Sequence, residues 1–309
     1  MTATRNIPCH EELSSLRFNL IGPFEVVTDD GRVYQPGTPK VCQTLALLLT
    51  RPNEIVTAES LIKELWGERP PRSAVTTLQT YVYHARRMFL NEGLVPADRA
   101  LIVTSPPGYA IQVDDDEIDI RIFERLVTEG RDRLVGQDPA GALASIEEAL
   151  ALWRGPALSN FPAGDMLTGH IVHLEELRIR AFEIRIEAED RLGRHGDSIP
   201  ELRRLINDYP LNEWFHCRLI AALGAAGRRA EALHAYQNVR RLLADELGLE
   251  PSPQMQRLQR RILSAEGLDG FHGFGDVEAA RRAEGGDEPA VEPFVERVVV
   301  DQAAQLGDG

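Results

Sequence analysis

A run of hydroxyl, imidazole and guanidinium side chains between residues 74 and 90 repeats at the spacing of one helical face. The opposite face carries an apolar stripe of Leu78, Val82, Ala85 and Phe89. An α-helix fits the major groove of DNA, where hydroxyl and guanidinium groups reach phosphates and base edges. We therefore predict a recognition helix whose DNA contacts come from Thr76, Thr80, Tyr83, His84 and Arg87, with Thr77 and Arg86 at the margins of the face.

A second set of polar side chains flanks this helix. The segments LIVT (101–104) and YAIQV (109–113) are typical of strands, and SPPG (105–108) between them is typical of a hairpin turn. Such a hairpin would form a wing whose tip lies near the minor groove. The phosphate contacts predicted for the wing and its flanks come from Arg72, Thr104, Ser105 and Tyr109.

The elements that position these residues can be assigned from the same sequence. Residues 16–27 are typical of strands, DDGR (29–32) of a turn, and Val33 and Tyr34 of a return strand. Thr57 and Gly67 have the residue types of helix caps. Helical spacing predicts helices over 39–50, 58–66 and 73–90, the last opening at Arg72 or Ser73. Three helices followed by a hairpin indicate a winged helix-turn-helix.

The sequence after the acidic segment DDDE (114–117) reads as helix almost throughout to residue 263. A similar pattern recurs when segments are aligned on Leu143, Leu202 and Leu233, and AGRRAEALHAY (226–236) is its best copy. This pattern is typical of paired tetratricopeptide helices, although the intervals differ from the ideal period. The predicted fold is therefore mainly α with a small β component: a winged helix-turn-helix domain followed by an all-α, tetratricopeptide-like domain.

Net charge separates these regions. The chain has 309 residues and a formal charge of −14, but residues 16–113 contain ten Arg and Lys against nine Asp and Glu. Only this part lacks the acidity that would repel phosphate. We predict an N-terminal extension (1–15), a DNA-binding domain (16–113), a helical domain (114–263) and an acidic, Gly-rich disordered tail (264–309).

Several other classes of protein are disfavoured by what the sequence lacks. There is no phosphate loop, dinucleotide-binding glycine motif, zinc-protease motif or nucleophile elbow, so we expect neither an enzyme nor a cofactor. Three cysteines without a C-x-x-C pair argue against a disulfide framework, and His170 with His173 lacks a third ligand at metal-binding spacing. No apolar stretch is long enough to span a membrane, and no signal peptide is evident, so a cytoplasmic protein is expected.

Two alternatives stay open at this point. The near-neutral N-terminal domain also suits a helical-repeat scaffold that binds protein instead of DNA. A small-molecule-gated regulator would need a ligand groove, for which aromatic residues are the candidates, although aromatics at helical spacing are usually core. These candidates are Trp153, Phe161, Trp214, Phe215 and Tyr236.

Six separate strings resemble one known family. They are LIGPF (20–24), LIKELWGERPP (61–71), TLQTYVYHARR (77–87), PPGY (106–109), WRGPAL (153–158) and DELGLEPS (245–252). In this order they resemble the Streptomyces antibiotic regulatory proteins (SARPs), which join an OmpR-type winged helix to a bacterial transcriptional activation domain. The resemblance covers about residues 16–263 and is to the small two-domain members, without an appended nucleotide-binding module.

This resemblance implies a transcriptional activator of an antibiotic biosynthetic gene cluster. It implies that the protein binds direct repeats in double-stranded promoter DNA as a dimer and recruits the RNA polymerase holoenzyme. The sequence departs from the family at Ser105, where a basic wing residue is common, and at Tyr83 and His84 in the recognition helix. Fewer phosphate contacts would make cooperative binding of two protomers more necessary.

Overall fold

A computed structural model describes residues 16–95, 100–194 and 198–264. The predicted N-terminal extension, and the predicted tail from residue 265 onward, lie outside the described residues. The described chain forms two compact units. The first comprises residues 16–128 with 148–178, and the second comprises residues 129–147 with 179–264.

The first unit begins with the predicted antiparallel sheet. Its strands are β1 (Leu16–Asn19), β2 (Glu25–Thr28) and β3 (Val33–Tyr34), in the order β1-β2-β3. Phe18 pairs with Val26 across the sheet, and both side chains are buried. Gly31 has a φ of +82° in the turn before β3, a backbone conformation that glycine adopts readily. The turn predicted at 29–32 is therefore confirmed.

Three helices follow at the predicted positions: α1 (Pro39–Leu49), α2 (Ala58–Trp66) and α3 (Ala74–Asn91). The side chain of Thr57 accepts a hydrogen bond from the Ser60 amide at 3.1 Å, and so caps α2 as predicted. Gly67 ends α2 with a φ of +61°. The apolar stripe of α3 is buried, and Phe89 on it packs edge to face against Phe18 of β1 at 6.2 Å.

The wing is a three-stranded sheet, not only the predicted hairpin. Strands β5 (Ile102–Ser105) and β6 (Gly108–Ile111) form the hairpin, and β4 (Val56–Thr57), which sequence analysis missed, pairs with the other side of β6. A Cβ atom on Gly108 would lie 1.9 Å from the Val56 carbonyl oxygen. Gly108 therefore lets β4 approach β6 closely, and this strand ties the wing to the start of α2.

The remainder of the described chain is helical, as predicted. α7 packs on α8, and α8 packs on α9, as consecutive helices of tetratricopeptide repeats do. No helix in the described ranges combines the length and apolar character needed to cross a membrane. The helices are α4 (Asp119–Val135), α5 (Pro139–Ala151), α6 (Asp165–Arg191), α7 (Ser198–Asp208), α8 (Glu213–Ala225), α9 (Arg229–Leu247) and α10 (Pro253–Ser264).

A buried glutamate joins α2 to the beginning of α6 within the first unit. Glu64 is 3% exposed, and its carboxylate accepts hydrogen bonds from the amides of Gly164 at 2.6 Å and Met166 at 2.9 Å. These amides lie at the N-terminus of α6, where N–H groups lack helical partners and the helix dipole favours a negative charge. Gln43 of α1 donates to the same carboxylate at 3.2 Å. The amides at the N-terminus of α6 therefore gain acceptors, and the buried Glu64 carboxylate gains donors.

A second buried carboxylate joins β1 to the start of α4. Asp119 is 2% exposed and accepts hydrogen bonds from the Leu20 and Ile21 amides at 2.8 and 2.9 Å. The same turn is held from the other side, because the Arg154 amide donates to the Ile21 carbonyl at 3.2 Å and the Leu158 amide to the Leu20 carbonyl at 3.1 Å. The strings LIGPF and WRGPAL, far apart in sequence, therefore meet at Asp119.

Substitution of Gly164 would test how closely Glu64 packs against the start of α6. A Cβ at this position would lie 2.3 Å from the Glu64 backbone carbonyl, which cannot move as a flexible side chain can. We expect Gly164→Ala to lower the free energy of unfolding by about 1–3 kcal/mol. Gly169, inside α6, is the matched control, because no atom beyond the adjoining helix backbone lies within 4 Å of the place that its Cβ would take. Gly169→Ala should raise stability by about 0.5–1 kcal/mol, and urea unfolding that ranks the two variants the other way would contradict this packing.

Asp119 predicts a dependence of stability on pH. Burial raises the pKa of Asp119 to about 6, above the value near 3.9 expected in the unfolded chain. The folded protein therefore binds a proton at Asp119 more tightly than the unfolded chain does. Protonation of Asp119 contributes fully to the free energy of unfolding below about pH 4, and this contribution is lost as the pH rises through 6. The loss amounts to about 3 kcal/mol at most.

The measurement is urea unfolding of the wild type and of Asp119→Asn between pH 4.5 and 7. Asparagine cannot ionise, so the variant should lack this part of the decline in stability with rising pH. Parallel curves for the two proteins would show that Asp119 is already ionised in the acid range.

Candidate nucleic-acid interface

The solvent-facing side of α3 carries most of the predicted DNA contacts. Thr76, Thr80, Tyr83, His84 and Arg87 are exposed, while the apolar stripe behind them is buried. The helix contains no Asp or Glu, so no carboxylate on it would repel a phosphate. Thr77 is half-buried, and its hydroxyl lies 3.4 Å from that of Ser73. The structure thus brings the predicted residues together on one accessible face.

Arg87 and Tyr83 form a pair at the centre of this face. The Arg87 guanidinium donates to the Tyr83 hydroxyl at 3.2 Å, and its central carbon lies 5.9 Å from the centroid of the Tyr83 ring. The His84 ring packs against the Tyr83 ring at 5.8 Å. A guanidinium has five N–H donors, so the bond to tyrosine leaves others for a base edge or a phosphate. Tyr83 therefore orients Arg87 while using only part of its donor capacity.

Arg86, the neighbouring arginine, is placed differently. It is half-buried, and its Nε donates to the Ile102 carbonyl at 3.0 Å while Nη2 donates to the Thr104 hydroxyl at 2.9 Å. Both acceptors belong to β5, so this side chain ties the recognition helix to the wing. The DNA contact expected of Arg86 stays a prediction, but its observed bonds identify it as a positioning residue.

The wing residues differ in how accessible they are. Thr104 is exposed, Ser105 is half-buried, and Pro106 with Pro107 forms an exposed tip between β5 and β6. Tyr109 is only 8% exposed and pairs with Val56 and Thr104 in the sheet. Its side chain therefore belongs mainly to the packing of the wing, and little of it is available to a phosphate.

Positive charge lies at the start of the recognition helix. Arg72 is exposed immediately before α3, and Arg69 is exposed in the same turn after α2. The nearby Lys63 is paired with Glu68 at 3.5 Å, and both side chains are more than half exposed. Such an exposed pair contributes little stability. Arg72 and Arg69 are therefore the arginines placed to meet a phosphate at this end of α3.

Two exposed residues of α3 were missed by the sequence reasoning. Val75 is 56% exposed and Gln79, one helical turn later, is also exposed. Glutamine can pair with adenine through two hydrogen bonds, and an apolar side chain can contact the thymine methyl group. A helical projection with the buried stripe as its reference would have included both at the edge of the polar face. Val75 and Gln79 thus extend the candidate reading surface toward the N-terminus of α3.

The aromatic residues considered for a ligand groove do not form one. Phe161, Phe215 and Tyr236 are buried in the core. Trp153 packs against Phe123 at 5.7 Å and lies beneath the Arg178 guanidinium at 4.2 Å. Trp153 and Phe161 belong to the first unit and the other three aromatics to the second. Trp214 is half-buried and packs edge to face against Phe215 at 5.6 Å. These aromatic residues therefore contribute to packing within each unit.

These features define a winged-helix, DNA-binding transcription regulator with a helical second domain. Residues 35–111 match the family "Transcriptional regulatory protein, C terminal", and residues 118–263 match the "Bacterial transcriptional activator domain". The chain belongs to the SARP family of transcriptional regulators and contains these two domains in this order. The fold class and the family predicted from the sequence are confirmed.

Individual relatives agree with this assignment. The chain is 36% identical over 258 residues to the regulatory protein DnrI of Streptomyces peucetius, covering 82% of this chain and 94% of DnrI. It is 35% identical over 257 residues to the regulatory protein AfsR of Streptomyces coelicolor, covering 83% of this chain but 25% of AfsR. A solved structure of Mycobacterium tuberculosis EmbR, in complex with a low-affinity phosphopeptide, has a TM-score of 0.79 at 31% identity and covers 88% of this chain and 71% of EmbR.

The two adjacent arginines should respond differently to substitution. Arg87→Ala removes an exposed side chain, so we expect unchanged thermal stability and a loss of about 1–3 kcal/mol in specific DNA binding. Arg86→Ala removes two hydrogen bonds to β5, so it should lower stability by about 1 kcal/mol or more and weaken DNA binding as well. Arg86→Lys keeps the charge but not the paired geometry, and should also lower stability.

Thermal unfolding would measure the changes in stability. Fluorescence anisotropy with a DNA fragment that the wild-type protein binds specifically would measure the changes in affinity. Equal stability of the Arg86→Ala and wild-type proteins would show that this side chain does not hold the wing.

Proposed function

We propose that this protein activates an antibiotic biosynthetic gene cluster by binding direct repeats in promoter DNA and recruiting the RNA polymerase holoenzyme. The observation that carries the proposal is the exposed face of α3, which has no acidic residue and includes Arg87, with the wing held beside it by Arg86. The family of the chain supports the class of target.

The proposed binding mode follows from these elements. α3 enters the major groove, where Thr76, Thr80 and Arg87 meet base edges and phosphates. The Pro106–Pro107 tip lies toward the adjacent minor groove, with the Thr104 hydroxyl beside the backbone. Because Arg86 holds α3 and β5 at a fixed distance, the helix and the wing engage the duplex together.

Charge explains why two protomers would be needed. The winged-helix region has ten basic and nine acidic residues, so one protomer neutralises few phosphates. Each phosphate contact contributes to affinity and to its salt dependence, so a single protomer should bind weakly. Two protomers on adjacent repeats gain affinity from their mutual contact without a stronger individual interface.

We propose that the helical domain provides the surface that contacts RNA polymerase. Residues 118–263 match an activator domain, and its helices α7, α8 and α9 pack one on the next. Stacked helical repeats present extended surfaces that bind other proteins. We infer that DNA positions the protomers and that these repeats then contact the polymerase, with no catalytic step by the protein itself.

Genomic footprinting at a stated salt concentration tests the proposal. We expect paired protected repeats, centred about 10 base pairs or a multiple apart, upstream of biosynthetic genes. A fragment with one repeat should bind at least about tenfold more weakly than one with two. Arg87→Ala should lose both footprints.

Arg204→Ala is the matched control, because Arg204 is an exposed arginine on α7 and its loss changes the net charge equally. Its footprints should equal those of the wild type. Uniform, sequence-independent binding by the wild type would instead favour a scaffold that binds proteins through its helical repeats.

A further inference from the structure

A cavity of about 200 Å³ lies within the first unit, away from the recognition helix. Three elements line it: the end of α1, the start of α4 and the start of α6. Its apolar side is formed by Ile120 and Leu174, and its polar side by Thr50, Arg121, Glu124, His170 and His173. The volume of one liquid water molecule is about 30 Å³, so the cavity has room for a small molecule rather than for a few waters only.

The polar side of the cavity consists of two helical pairs that face each other. Arg121 and Glu124 are three residues apart on α4, and His170 and His173 are three residues apart on α6. Arg121 is fixed in place, because Nη1 donates to Glu124 at 2.9 Å and Nη2 to the Thr50 carbonyl at 3.3 Å. These bonds use two of the five N–H donors of a guanidinium.

The imidazoles supply further donor capacity. His170 is half-buried and His173 is exposed, and neither forms a hydrogen bond with another residue in the described part of the chain. Burial lowers the pKa of His170, and the positive charges of Arg51, His173 and Arg121 lower it further, opposed by Glu124. The negative charge of Glu124 is already paired with Arg121. The ion pair has no net charge, so the cavity gains positive charge when His170 takes up a proton.

We propose that this cavity binds a small oxyanion, either inorganic phosphate or the phosphate group of a small metabolite. Arg121 would donate to the anion with its remaining N–H groups, and His170 with His173 would donate from the facing helix. A phosphate accepts several hydrogen bonds at once, and a guanidinium with two imidazoles provides donors from different directions. A space of this size admits one phosphate group and a few attached atoms, not a duplex.

Binding would be linked to protonation of His170, whose pKa is lowered by burial. An anion beside His170 favours its charged form and offsets the positive charge of Arg51 and Arg121. Affinity should therefore increase as the pH falls. Because the ligand would contact α1, α4 and α6 together, it would stabilise the first unit against unfolding by mass action. This site is independent of the DNA-binding function proposed above.

Calorimetric titration and thermal unfolding at constant ionic strength test the site, with sulfate as the first probe because its charge is constant between pH 6 and 8. We expect sulfate affinity to fall about tenfold from pH 6 to pH 8. The double variant His170→Asn/His173→Asn should bind at least about tenfold more weakly at pH 6 and lose the pH dependence. His234→Asn changes an exposed histidine on α9 and should behave as the wild type.

Two further probes distinguish the sources of the anion. Inorganic phosphate and glycerol 3-phosphate are titrated separately into the wild type, and tighter binding of the ester identifies a metabolite rather than free phosphate. The proposal is overturned if sulfate neither binds nor raises the unfolding temperature at pH 6, or if the double variant and His234→Asn respond equally.

Discussion

The carboxylate of Glu64 at the N-terminus of α6 is the interaction on which the arrangement of the first unit depends. The first amides of a helix have no partner within it, and a buried carboxylate has no water to solvate its charge. Here the amides donate hydrogen bonds to the carboxylate, so both groups have partners, and Gln43 supplies an additional donor. Gly164 makes the approach possible because a side chain there would collide with the backbone of α2.

This contact also bears on the surface that reads DNA. Glu64 lies on α2, and Trp66 at the end of α2 stacks on Tyr81 of α3 at 6.2 Å. The recognition helix is therefore packed on the same element that caps α6. A protein that reads DNA by side-chain geometry needs such rigid support, because hydrogen bonds to bases tolerate little displacement.

Arg86 and Arg87 show how adjacent, identical residues acquire different roles. Successive positions on a helix point about 100° apart, so one guanidinium faces the wing and the other faces solvent. Arg86 donates hydrogen bonds to two acceptors of β5, whereas Arg87 lies over the Tyr83 ring and keeps N–H donors available. Positioning and recognition are thus divided between two neighbouring side chains. The near-neutral charge of the region makes this geometric support more important, since electrostatic attraction to DNA is modest.

The sequence by itself determined the elements and the class of protein. Helical periodicity located α1, α2 and α3, Thr57 and Gly67 marked the ends of α2, and the exposed face of α3 followed from its buried stripe, since these features depend on local chemistry. Only the tertiary structure decided which groups meet across long separations. β4 is two residues long and is defined by its pairing with β6, Arg86 has its role because β5 lies beside it, and Asp119 is buried because two distant turns close over it. Such contacts depend on the packing of segments about a hundred residues apart or more, and spacing along the chain does not encode them directly.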